Sequence, residues 1–518
     1  MPSGNVQRAD LHKTLWKVAE DLRGSVDGWD FKIYVLGTLF YRFISENLTN
    51  LVNENERRFD PNFDYAQLSD RDLTDEIIDE LIDEKGFYIA PSELFCNVVK
   101  TADINENLNE DLERIFKNIE GSAIGTDAEA DLKGLFADFD VNSNKLGNTV
   151  TRRNTTLAKL LKTIDNLQLG SFADNTIDVF GDAYEYLMGM YAANAGKSGG
   201  EYFTPQEVSF LLASIAADGR KRLNKVYDPC AGSGSLLLKF AKVVGKENVE
   251  RGFYGQELNP TTYNLARFNM FLHDVNFNRF DIRCGDTLTD PLHVDDEPFD
   301  AIVSNPPYST KWAGKNDPVL INDPRFSPAG VLAPPSKADL AFTMHMLSWL
   351  SERGTAAIVE FPGVMYRGGA EKKIREYLIE NNFVEAVIQL PPDLFFGTTI
   401  ATCILVLKRN KRSQDVVFID GSREFVRNGN KNVLTEANQQ KILGLLRDRK
   451  DVDYEACVVP NEKIAENDYM LSVTTYVEAE DTTEVIDIDE LNAEIEQIVA
   501  RQSDLRAKID AIVKTLDV

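Results

Sequence analysis

The spacing of apolar positions changes twice along this chain and divides it into three textures. From about residue 8 to 168, apolar residues recur every three or four positions, as at Leu11, Leu15, Val18 and Ala19, the period of a helix with one buried face. A second apolar helix is expected over 33–44, introduced by Val26-Asp27-Gly28-Trp29-Asp30-Phe31. Between 70 and 84, Ile77, Ile78, Leu81 and Ile82 stand among carboxylates at helical spacing, the pattern of a largely solvated helix. From about 180 to 425, short β-rich runs at 225–227, 251–256, 280–284, 301–303 and 356–359 alternate with helical stretches. One of these stretches, 261–272, is entered through Asn259-Pro260, an N-cap followed by a first-turn proline. Such alternation predicts an α/β fold with a parallel, doubly wound sheet. Two later strands, 384–390 and 402–407, are joined by a glycine-containing loop and are expected to close the sheet as a hairpin. The last 40 or so residues read as an acidic linker and one long helix. There Leu491, Ile495, Ile498, Leu505, Ile509, Ile512 and Leu516 form a heptad seam, with polar Gln502 filling one position. So narrow a stripe needs cover, either from its own body or from another subunit.

Bulk properties narrow the class. A chain of 518 residues with 43% hydrophobic content can hold several cores. The opening residues are polar and no apolar run approaches the ~18 residues of a membrane span, so a cytoplasmic protein without membrane contact is expected. Five cysteines without a Cys-x-x-Cys pair and four scattered histidines argue against a disulfide framework, a zinc ribbon or any other metal site. The net charge of −27 is harder to reconcile with nucleic acid, because a protein that grips DNA unaided neutralises phosphates with Lys and Arg. Either the substrate is not nucleic acid, or a basic partner supplies the grip.

The chemistry gathers where β-runs end. Asn305-Pro306-Pro307-Tyr308 follows the apolar run 299–304, so a rigid turn would present a planar amide and an aromatic ring. An exocyclic amine such as adenine N6 has its lone pair delocalised into the ring. The Asn305 side-chain oxygen and the Pro306 carbonyl can draw on its two N–H bonds, and Tyr308 offers a stacking face for a base swung out of a duplex. Upstream, Asp228-Pro229-Cys230-Ala231-Gly232-Ser233-Gly234-Ser235 joins a strand to a helix, where α/β sheets bind nucleotide-like ligands. Gly232 and Gly234 allow close approach of the main chain. The segment lacks the spacing of a dinucleotide fingerprint, and Asp228 suits an ammonium or hydroxyl, as the methionine end of S-adenosylmethionine requires. Glu257, 29 residues on, can hold two ribose hydroxyls, and Asp286, another 29 on, can accept from an adenine amine. Gly199-Gly200-Glu201-Tyr202-Phe203-Thr204-Pro205 leads into a helix, where main-chain N–H groups and the Thr204 hydroxyl can take a carboxylate, with Phe203 free to lie against a sulfonium.

The ordered set Gly-Glu-Tyr-Phe-Thr-Pro, Asp-Pro-Cys-Ala-Gly-Ser-Gly, Gly-Gln-Glu-Leu-Asn-Pro, Cys-Gly-Asp-Thr-Leu and Asn-Pro-Pro-Tyr resembles the N6-adenine DNA methyltransferases, specifically the modification subunit of type I restriction-modification systems. The blocks 26–31 and Ala338-Asp339-Leu340-Ala341-Phe342 resemble that family too. The resemblance implies a Rossmann-like S-adenosylmethionine-dependent methyltransferase domain over 169–475, an N-terminal helical domain over 1–168, and a C-terminal linker and helix over 476–518 for subunit contact. It implies a DNA specificity subunit that reads the site, a restriction and translocation subunit, double-stranded DNA as substrate, and two copies of this chain per specificity subunit. That division of labour resolves the charge problem. It also implies that Phe395 or Phe396 lies against the extruded base, a choice the sequence leaves open. The loop 309–336 is expected either to order on DNA or to be a surface insertion, and Lys408-Arg409-Asn410-Lys411-Arg412 either to touch phosphate or to be a charged strand end.

Two rivals remain. Asn-Pro-Pro-Tyr also serves enzymes that methylate the glutamine amide of proteins, although the chain's length and helical N-terminal region fit them poorly. An acidic scaffold retaining a dead methyltransferase fold is opposed by the intact Asp228, Glu257, Asn305 and Tyr308.

Overall fold

The computed structural model describes residues 12, 31–167, 179–194, 204–395, 398–429, 431–480 and 488–516. The first expected helix, His12 apart, and the block 26–30 lie outside these residues. The chain divides into two compact units, Met1–Val477 and Glu478–Val518.

The first unit opens with α1 (Phe31–Glu56), longer than the stretch expected from sequence. Val35, Leu36, Leu39, Phe40, Phe43, Ile44 and Leu48 are all buried along it, so it is covered on several sides rather than on one stripe. Helix α2 (Asp75–Lys85) is capped by the Thr74 side chain and stopped by Gly86 in the left-handed conformation. It buries only Leu81 and Ile82 and leaves Ile77 exposed, as the carboxylate-rich pattern predicts. Helices α3 (Leu108–Ser122) and α4 (Val150–Asp165) belong to the same helical layer. Buried Arg42 of α1 donates to the carbonyls of Ile164 (2.6 Å) and Leu167 (3.0 Å), tying α1 to the end of α4.

After α5 (Gln206–Ala217) the chain alternates between β1 (Leu223–Asp228), α6 (Ser235–Val243), β2 (Val249–Glu257), α7 (Pro260–Leu272), β3 (Phe280–Cys284) and β4 (Phe299–Ser304). It continues with α8 (Asp339–Trp349), β5 (Leu350–Glu360), α9 (Ala370–Glu380), β6 (Val384–Gln389), β7 (Cys403–Lys408) and β8 (Asp415–Asp420). A small ribbon of β9 (Val426–Asn428) and β10 (Lys431–Val433) precedes β11 (Ala456–Pro460). Nine strands form one sheet in the order β11-β8-β6-β7-β5-β4-β1-β2-β3.

Strands β3, β2, β1, β4 and β5 are mutually parallel, as the alternation predicts. The sheet as a whole is mixed, because β7 runs antiparallel to both β5 and β6, and β11 antiparallel to β8. The expected hairpin of β6 and β7 forms, but it does not close the sheet: β7 inserts between β5 and β6, and β8 and β11 extend beyond them. Alternate residues of the central strands face opposite layers. Val226, Ala301, Val303, Ala357 and Val359 share one core with the N-terminal helices, whereas Tyr227, Ile302, Ala356 and Ile358 face a second core with α8 and α9.

The loop 309–336 is anchored to the body of the protein. Phe326 and Leu332 are buried in it, and the Arg325 guanidinium donates to the carbonyls of Thr287 and Leu288, both at 2.8 Å. The basic run 408–412 is likewise engaged, with Lys408 paired to Asp218 and Glu385, Arg409 donating to the carbonyls of Ser348 and Leu350, and Lys411 to that of Val384. In the second unit, α10 (Ile488–Leu516) is a single helix whose seam residues Leu491, Ile495, Ile498, Leu505, Ile509 and Ile512 are exposed.

Candidate active site

The chain runs outward from β1 to β2 and β3 on one side and from β4 to β5 on the other. A crevice therefore opens at the carboxyl ends of β1 and β4, where ligands of doubly wound sheets bind. Asp228 and Glu257 are the last residues of β1 and β2, Asp286 stands two residues beyond β3, and Asn305 directly follows β4. The register pairs Asp228 with Gly255, Glu257 with Cys284 and Ser304 with Ile358, which brings all four polar residues to one edge.

The turn after β1 is shaped by two glycines with positive φ, Gly232 (55°) and Gly234 (74°), the second being the N-cap of α6. The Gly232 N–H donates to one Glu257 oxygen (3.0 Å) and the Asn259 N–H to the other (2.9 Å). Ala231 donates its N–H to the Gln256 carbonyl. Burial raises the Glu257 carboxyl above its ordinary range, and the N–H groups of Asn259 and Gly232 oppose that rise. Asp228 is 1% exposed, and its Oδ1 accepts from the Cys230 N–H and the Ser304 hydroxyl, both at 2.9 Å. Burial pushes its carboxyl up to about 7, with those two donors opposing and Glu257 reinforcing the rise. Half-buried Asp286 accepts the Leu288 N–H (2.9 Å). Ser233 and Ser235 are buried, with their hydroxyls 3.0 Å apart and both residues in contact with the Asn269 amide.

Asn305 is held at both ends. Its Nδ2 donates to the Thr204 hydroxyl (3.0 Å), and its Oδ1 accepts from the Tyr308 hydroxyl (2.7 Å). Pro306 is buried and Pro307 exposed. The Tyr308 ring lies 6.5 Å from that of Phe361. Phe395 is buried in the core that includes Leu390 and Leu394, while Gly200, Glu201, Tyr202, Phe203 and Phe396 lie outside the described residues.

Residues 175–485 match the N-6 DNA Methylase family and residues 11–164 the HsdM N-terminal domain. The Type I restriction enzyme MpnII methylase subunit of Mycoplasma pneumoniae is 49% identical over 99% of this chain and 97% of its own length. The chain belongs to the methylase subunits of type I restriction enzymes. This methylase subunit is thus an adenine-specific N6 DNA methyltransferase. The crystal structure of a type I restriction-modification methyltransferase subunit from Streptococcus thermophilus superposes with a TM-score of 0.82 at 36% identity, covering 91% of this chain and 100% of that one. A chain solved in work on assembly and conformational transition of the type I R-M system shares the fold, with a TM-score of 0.61 at 17% identity, covering 97% of this chain and 99% of that one. Among the described residues no helix is long and apolar enough to cross a membrane.

Three residues beside the methylase site escaped the sequence reading. Ser304 holds Asp228. Glu360, the last residue of β5, sits where the strand-end rule would have found it had the strand not been ended at Val359. Asp339 lay in a block noted only for its resemblance, and it accepts the Ser309 N–H immediately after Tyr308 (3.0 Å).

Proposed function

We propose that this subunit transfers a methyl group from S-adenosylmethionine to the N6 amine of an adenine flipped out of a specific double-stranded DNA site, with the site read by a separate specificity subunit. The observation that carries this reading is the anchored Asn305 amide. Because Nδ2 is committed to Thr204, Oδ1 points its acceptor capacity at the crevice edge, where the Tyr308 hydroxyl occupies it until an amine takes its place. Drawing on one N–H of the amine while the Pro306 carbonyl draws on the other would raise electron density on nitrogen for attack on the methyl carbon, the sulfur leaving with the S–C electrons and the methylated amine then releasing one of its two protons to solvent.

The residues fit the cofactor. A main chain without Cβ atoms at Gly232 and Gly234 leaves room for close approach, and Asp228, half ionised near neutrality, gains a full charge when an ammonium pairs with it. Glu257 keeps lone pairs for ribose hydroxyls beyond the two N–H groups it accepts, and Asp286 stands at the next strand end for the adenine amine. Thr204 borders the same edge through its bond to the Asn305 amide. S-Adenosylmethionine supplies the methyl carbon activated by a sulfonium. Tyr308 stacks the extruded base, and because Phe395 is committed to the core, the role of second aromatic falls to Phe396, which lies outside the described residues.

The charge of −27 supports delegated DNA contact, and the relative's name describes a subunit of a type I restriction enzyme. This chain accordingly works with specificity and restriction subunits, two copies to each specificity subunit, in the cytoplasm. Residues 1–168, 169–475 and 476–518 serve as helical, catalytic and subunit-contact regions. Incubating the chain and its specificity subunit with cofactor carrying a labelled methyl group and duplex DNA is expected to place label on adenine N6. Label entering only protein would overturn the reading.

A further inference from the structure

Behind the Asn305–Tyr308 turn lies a pair of buried carboxyl groups that the reaction as described does not use. Glu360 is 0% exposed and Asp339 1%. Glu360 ends β5, the strand hydrogen-bonded to β4 just before the turn. Asp339 and Thr343 lie one helical turn apart on α8 and so present their side chains on one face. The Thr343 hydroxyl donates to Glu360 Oε1 at 2.6 Å, and Asp339 Oδ1 accepts the Ser309 N–H at 3.0 Å. The remaining oxygens, Glu360 Oε2 and Asp339 Oδ2, are both buried without a hydrogen-bond donor. Both carboxyls are held against one face of α8, Asp339 by its own place on the helix and Glu360 through Thr343, and a single proton on the pair removes one of two buried like charges.

The pair is coupled to the turn. Ser309 follows Tyr308 with φ of 52°, a left-handed conformation that a serine holds only when something fixes it. Asp339 is that fixing group. We infer that Asp339 and Glu360 form a one-proton acid pair that positions Tyr308, through the Ser309 N–H, as the platform for the extruded base. This rests on the role given to Tyr308 above.

The surroundings of the pair make its proton retentive near neutrality. Burial raises the Glu360 carboxyl to about 8, the charge of Asp339 reinforcing the rise, and Glu371 on α9 adds to it while Thr343 opposes. The other titratable groups facing it are the Tyr308 hydroxyl and the Cys403 thiol of β7, both pushed up by burial and by Glu360. Once Glu360 ionises, two like charges face each other, and the contact from Asp339 to Ser309 is what yields.

Two measurements test the inference. The first is difference infrared spectroscopy of the full chain alone. It is expected to show a protonated carboxylic acid that titrates away with a midpoint near pH 8, and Glu360→Gln is expected to abolish that band. The second is the single-turnover methylation rate of the complex with the specificity subunit, at saturating cofactor and DNA. For the native chain the rate is expected to fall about tenfold per pH unit above that midpoint. Glu360→Gln, whose amide donates to Asp339 without titrating, is expected to lack that alkaline limb. Asp339→Ala is expected to lower the rate about tenfold or more at every pH while leaving the cofactor KM unchanged. Absence of the infrared band overturns the shared proton, and an unaltered alkaline limb in Glu360→Gln overturns the positioning role. Failure of the native complex to methylate DNA at any pH would instead overturn the function proposed above and Tyr308's platform role with it, the infrared titration still standing as evidence for the pair.

Discussion

Asp228 ties cofactor affinity to pH in a way the structure makes quantitative. Its carboxyl is fully buried, accepts two hydrogen bonds on one oxygen, and has its proton affinity raised from an ordinary 3.8 to about 7. If only the ionised form pairs with the ligand's ammonium, about nine tenths of sites are competent at pH 8 but only about one tenth at pH 6. Affinity is therefore expected to weaken about tenfold between those pH values, or about 1.4 kcal/mol. Titration calorimetry with S-adenosylhomocysteine, which carries the ammonium without reacting, is expected to show release of about half a proton at pH 7 when buffers of different ionisation enthalpy are compared. Asp228→Asn keeps the acceptor for Cys230 and Ser304. It is expected to bind at least about tenfold more weakly at pH 8, with no pH dependence over this range. The ligand-free stability moves the opposite way. Because the folded state raises this carboxyl's proton affinity, the cost of ionising it is absent below 3.8 and complete above about 7, with a ceiling of about 4 kcal/mol. The Asn variant is expected to melt higher than the native chain at pH 8. Equal affinity at pH 6 and pH 8, with no proton released at pH 7, would refute this reasoning.

Other expectations concern the scaffold. Gly252 has φ of +98°, and a Cβ there would stand 2.0 Å from the Arg279 carbonyl oxygen, so Gly252→Ala is expected to cost about 3 kcal/mol or more, read as a lower urea midpoint. Arg267, 1% exposed, donates to the carbonyls of Ala130 (3.2 Å), Asp131 (3.0 Å) and Lys133 (3.0 Å), clamping the helical layer to α7. Arg267→Ala is expected to lose about 3 kcal/mol by the same assay. Removing 478–518, a separate unit with an exposed apolar seam, is expected to leave cofactor affinity within about twofold and to abolish co-purification with the specificity subunit, which size-exclusion chromatography reports.

Much of the site was legible because it sits at strand ends, where local pattern and chemistry coincide. The 29-residue spacing from Asp228 to Glu257 and on to Asp286 is one β-α-β unit per step, and a parallel sheet places such ends side by side. What local pattern could not convey was which strand lies next to which. The apolar runs of β6 and β7 reveal two strands but not that β7 enters between β5 and β6, because that order is decided by contacts between distant residues. Strands β8 and β11 were missed for a related reason: they complete the sheet's far edge only through each other and β6. The roles of Arg325 and Arg267 were equally hidden, since each acts on main-chain carbonyls far away in sequence. Glu360 shows a boundary effect, one residue of strand length separating an ordinary core position from a buried acid beside the turn.

The most direct test of the central claim is the single-turnover rate of Asn305→Ala in complex with the specificity subunit, measured alongside its affinity for S-adenosylhomocysteine. Loss of the amide acceptor is expected to slow methyl transfer at least ~10²-fold while cofactor affinity stays within about twofold of native. A native rate in that variant would contradict the account.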